Sequence, residues 1–140
     1  MQKIKIKCVN DGRSGPYFPY EFEISNGIVT INFEINEEDN FREFGEKLKG
    51  FPLVQFSDAE NFSAIYRYGT KSHDYLYRFS LDVSIWKTNG HPLISIKFES
   101  LAGDKAEFSI RTVPYSIITL GKMLSDWHPR EESELIWVAE

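Results

Sequence analysis

Three histidines, one cysteine and two runs of carboxylates carry most of the reactive chemistry available to this 140-residue sequence. His73 lies in a loop, His91 follows a glycine at a turn and His128 closes a helical pattern. No second histidine or cysteine stands at ligand spacing to any of them, so they read as turn and cap residues. Cys8 has no CxxC partner and falls on the apolar side of an alternating segment, which makes it a small core residue. Paired carboxylates serve glycoside hydrolysis only across a cleft. Glu37-Glu38-Asp39 opens a helix and Glu131-Glu132-Ser133-Glu134 lies in a polar tail, where such charges are solvated or complement a helix dipole. Asn10 to Pro16 lacks the lysine and following helix of a phosphate loop. The expectation is a chain with no catalytic residue, no cofactor and no metal.

Binding chemistry is better represented. Glu131, Glu132 and Glu134 together with Asp126 make an acidic patch suited to a cationic partner. Trp86 and Leu93 stand opposite each other on an otherwise polar strand face, as a hairpin-strengthening pair or as a contact hot spot. Tyr66 with Tyr77 and Tyr68 with Tyr75 pair across strands at a sum of 143, an arrangement that lines either a core or a pocket with hydroxyls.

The elements that must hold these residues announce themselves by period. Asn26-Gly27 and Asn89-Gly90 each lie between alternating apolar runs, the pattern of a two-residue hairpin. At a pairing sum of 179 the second turn sets Val83 against Ile96 and Asp82 against Lys97. At 53 the first sets Phe22 against Ile31. Ile4, Ile6 and Cys8 alternate with Lys3, Lys5 and Lys7, a first strand with a solvated or edge-like lysine face. Phe41, Phe44 and Leu48 recur at helical spacing between an Asn36 cap and Gly50-Pro52. Ile117, Leu120, Leu124 and Trp127 do the same after Pro114. Pro92 lacks the N–H that would face the next strand, so the sheet should be unpaired there.

The order is three strands, a helix, four strands and a helix. It predicts an α+β fold: a curved, mainly antiparallel sheet of about seven strands with two helices packed on one face. Residues 1–140 read as a single domain in which 128–140 form a C-terminal tail. Its Leu135-Ile136-Trp137-Val138 is too apolar to stay in water and becomes an added strand, a docking segment or a dimer contact.

Net charge of −5 and one cysteine narrow the setting. The acidic balance argues against nucleic acid, no segment is long enough to span a membrane, and the lone cysteine fits the cytoplasm. The segment from Phe41 to Trp127 resembles small bacterial immunity-protein-like families of polymorphic toxin systems. The residues concerned are Phe41, Phe44 and Leu48, Gly90-His91 leading into Ile94-Ser95-Ile96, and the helix from Tyr115 to Trp127. That resemblance implies a non-catalytic, protein-binding domain that neutralises a basic toxin, with Trp86, Leu93, Asp126, Glu131, Glu132 and Glu134 as its contacts. The alternative is a small-ligand binder or enzyme using a tyrosine-lined pocket in the curved sheet.

Overall fold

Alternation puts one apolar and one polar face on every strand, and each apolar face must find cover. The computed structural model describes residues 1–8, 20–35, 41–51, 64–68, 77–85, 91–100, 102–128 and 134–140. In it the cover is a second sheet. The first sheet runs β3-β2-β1-β8, formed by Thr30–Ile35, Tyr20–Asn26, Gln2–Cys8 and Glu134–Val138. The second runs β4-β5-β6-β7, formed by Ala64–Tyr68, Tyr77–Ile85, Pro92–Ser100 and Lys105–Arg111. All pairings are antiparallel. The expected single sheet of about seven strands is thus two sheets of four, within the expected α+β class.

The eighth strand is the supposed tail. Residues 134–138 pair with β1 from Lys7↔Glu134 to Lys3↔Val138, so the lysine-faced first strand is interior rather than an edge. Trp137 is buried, and its indole N–H donates to the Ser116 carbonyl at 3.0 Å. Left without a partner, a buried donor of that kind would cost about 1–3 kcal/mol.

Rings from both sheets meet in the core. Phe22 and Phe33 of the first sheet lie 5.2 and 4.5 Å from Phe79 of the second. Helix α1 (Phe41–Lys49) adds Phe41, 5.7 Å from Phe22 and 5.1 Å from Tyr66. Helix α2 (Pro114–Asp126) opens with proline at its first turn and buries Ile117, Leu120 and Leu124. The helices therefore serve the inner faces of both sheets.

The two helices touch backbone to backbone. A Cβ built on Gly45 would lie 2.7 Å from the Gly121 carbonyl oxygen, and one on Gly121 would lie 2.8 Å from the Gly45 carbonyl oxygen. Only a residue without a side chain fits at either position.

Both hairpin registers differ from the expected ones by a slide of two residues. Val83 faces Ile94 and Asp82 faces Ser95, a sum of 177 rather than the expected 179; the Asn89-Gly90 turn itself lies outside the described residues. A slide of two keeps every apolar residue inward, so parity alone does not choose between them. Here Phe79 comes opposite Phe98, and both rings reach Phe33, at 4.5 and 5.1 Å. The first hairpin sets Phe22 against Phe33 at a sum of 55 rather than 53. Its central residues are Gly27 and Ile28, with Gly27 at φ +92°. Asn26 stands before them, its Oδ1 accepting from the N–H groups of Ile28 and Val29 at 2.9 and 2.8 Å. The tyrosine pairing also shifts: Tyr66 faces Leu81 and Tyr68 faces Phe79, a sum of 147 rather than 143. At Pro92 the β6–β7 ladder does stop, although the Pro92 carbonyl still accepts from Thr112 N at 3.3 Å. The Asn36 cap lies outside the described residues.

Gly45→Ala provides a test of the helix contact. At an open helical site this change gains up to about 1 kcal/mol. At this crossing it should instead cost about 1–3 kcal/mol through overpacking. Urea unfolding measures the sign, and a stabilised variant would show that the helices do not cross there.

Candidate functional site

Two polar faces point outward, and they differ in charge. On the first sheet Lys3, Lys5 and Lys7 of β1 stand between carboxylates of β2 and β8. Lys3 Nζ lies 2.6 Å from Glu23 Oε2, and Lys5 Nζ lies 3.0 Å from Glu134 Oε1. The hydrogen bond from Lys3 holds the Glu23 carboxyl below its ordinary range, against the smaller opposing effect of desolvation. The bond to Glu134 and that residue's charge raise the Lys5 ammonium. With Glu21 and Glu34 added, this face holds three cations against four carboxylates among the described residues.

The second sheet's outer face holds Arg67, Arg78, Lys97, Lys105 and Arg111 against Asp82, Glu99 and Glu107. Register sets them in rows across the strands. Arg67, Ser80, Lys97 and Glu107 stand abreast on β4 to β7, and Arg78, Glu99 and Lys105 stand abreast on β5 to β7. These seven residues line an open groove of about 520 Å³, together with Phe79, Phe98 and Ala106. Ser80, Ser84, Ser95 and Ser109 occupy outward positions on the three later strands, and their short side chains keep that face low. Four of the five cations thus lie in two neighbouring rows at one end of the face, and three of the four serines lie in the rows beyond them.

The residues singled out in the sequence are only partly brought together. Asp126, at the end of α2, and Glu134, at the start of β8, line one groove of about 370 Å³ with Lys122, Met123, Trp127, Leu135 and Ile136. Glu134 is already engaged by Lys5. Leu93 faces Ser84 and not Trp86, because the register slid. Trp86, Glu131 and Glu132 lie outside the described residues, as do His73 and Tyr75. Tyr66 is a core residue between Phe41, Phe44 and Phe79, at 5.1, 5.8 and 5.5 Å, rather than the wall of a pocket. Cys8 is buried, and His91 and His128 are exposed. Among the described residues no three metal-ligating side chains cluster, and no helix is long and apolar enough to cross a membrane.

The basic groove was not found from the sequence. Its signal is nevertheless present: the polar positions of the later alternating strands are rich in Arg and Lys, and strand parity alone puts them on one face.

No protein-family model matches the chain, and no curated protein matches it. Among solved structures it is similar to WHY1 from Arabidopsis thaliana, at 12% identity and a TM-score of 0.50, over 89% of this chain and 76% of that one. WHY1 is a single-stranded DNA-binding protein. This neighbour overturns the expectation of a toxin-neutralising, protein-binding domain that meets no nucleic acid. The physical error lay in reading a net charge of −5 as the charge of every surface. A partner responds to the local potential of the face it meets.

The Glu23 contact has a pH signature. A carboxyl held below its ordinary value of 4.5 stabilises the fold above that value, and the contribution is lost as pH falls through the lowered one. Wild type should therefore melt higher than Glu23→Gln near neutral pH, with the difference closing in acid. A difference that persists unchanged at the acid end would show that Glu23 acts through something other than its charge.

Proposed function

We propose that this chain binds single-stranded nucleic acid across the outer face of its second sheet. The observation that carries the reading is the groove lined by Arg67, Arg78, Lys97 and Lys105 on a chain whose net charge is −5. An acidic protein with an excess of cations on one open face has a local field there that attracts phosphates, while its overall charge disfavours nonspecific adhesion. Four strands at about 4.8 Å spacing give a face only about 14 Å wide, the scale of one extended strand. Single-strand binders combine such a positively charged groove with surfaces on which bases rest. Ile65 and Leu93 are the apolar side chains on the described part of this face. The likeness to WHY1 is in keeping with this reading.

Phosphates meet the cations, and the serine hydroxyls offer donors and acceptors to sugar and base edges. No turnover is involved. Each neutralised phosphate releases condensed counterion, so affinity falls with salt.

Fluorescence anisotropy with a labelled oligothymidylate tests this directly. Four phosphate contacts give a slope of log K against log salt of about −2.8, at about −0.7 per contact. Arg67→Glu with Lys97→Glu should weaken binding and flatten that slope by about 0.7 for each residue. Lys7→Glu, on the first sheet, should change neither. Absence of binding at low salt, or binding indifferent to the paired reversal, would remove the second sheet from consideration.

A further inference from the structure

A carboxylate in the middle of a phosphate-binding groove calls for an explanation. Glu99 is exposed on β6 and stands directly between Arg78 of β5 and Lys105 of β7. Neighbouring members of that row are about 4.8 Å apart. Toward a phosphate, Glu99 is repulsive. Toward a base edge it is an acceptor of two hydrogen bonds flanked on each side by a donor.

We infer that Glu99 reads the base and selects guanine, while the cations around it hold the backbone. The inference rests on the nucleic-acid reading of the groove. Guanine presents N1–H and N2–H side by side, a donor pair that fits the two oxygens of one carboxylate. Its adjacent O6 accepts from the neighbouring Arg78 or Lys105. Thymine presents a single N3–H between two carbonyl oxygens, which a carboxylate repels. Single strands leave these Watson–Crick edges open to side chains. Phosphate contacts position and base contacts specify, so one groove divides the two tasks between residue types.

The competing role for Glu99 is plain charge balance between Arg78 and Lys105, and Glu99→Gln separates the two. Two labelled probes are used, an oligothymidylate about 16 nucleotides long, the upper site size for comparable single-strand folds, and the same length with isolated guanines too sparse for quadruplexes. Wild type should prefer the guanine probe by about tenfold, in the range of one bidentate base contact. Glu99→Gln should tighten binding to oligothymidylate, since a negative charge leaves the groove, and should abolish the guanine preference. Equal wild-type affinity for both probes overturns the inference and leaves the nucleic-acid reading standing. So does a Glu99→Gln variant that tightens both probes alike and keeps the preference. Wild type that binds neither probe overturns both.

Discussion

The contact between Gly45 and Gly121 sets the geometry on which the rest of the molecule depends. Helices that meet through ordinary side chains stand about 8–10 Å apart; here nothing projects between the two backbones at the crossing. Closeness has a directional result. With the glycines facing each other, Leu48 and Leu124 flank the crossing, and Phe41 and Trp127 come within 5.9 Å of each other. Tyr20 of the first sheet packs on both of those rings, at 5.5 and 5.9 Å. Tyr66 of the second packs on Phe41. One pair of missing side chains thus lets a single aromatic cluster join both sheets to both helices.

That shared core leaves the two outer faces free to diverge. Neither face is needed for burial, and each carries its own charge pattern. On the first, lysines interleave with glutamates and the field is largely spent within the face. On the second, five cations outnumber three carboxylates. A net charge adds these surfaces together and conceals that they are opposite in character.

Most of the elements were legible in the sequence because their signals are local. The strands, both helices and the buried stripes Phe41-Phe44-Leu48 and Ile117-Leu120-Leu124 follow from period alone. Register was not legible, since alternation specifies parity and a slide of two residues costs it nothing. In the observed register of the second hairpin Phe79 and Phe98 both meet Phe33, a ring in the other sheet, to which hairpin arithmetic has no access. The division into two sheets is likewise a tertiary outcome, as is the use of residues 134–138 as a strand beside β1. Gly45 and Gly121 stand inside helical patterns where glycine costs about 1 kcal/mol, a local conflict that the close approach of the two helices accounts for. For the candidate groove, residue types and parity were both readable. What was missing was the order of the strands that sets Arg67, Lys97, Arg78 and Lys105 on one surface.

The pairing of β8 with β1 has a kinetic meaning. Each rung, from Lys7↔Glu134 to Lys3↔Val138, joins residues separated by well over half of the chain, and Gln2 reaches Arg111 through two further hydrogen bonds. Closing a loop of that size is entropically unfavourable before a single rung forms. Topologies dominated by such distant partners fold slowly, on the scale of milliseconds to seconds rather than microseconds. The first sheet is therefore a slow-closing structure, and the time needed for its two most distant strands to find each other is written into the strand order.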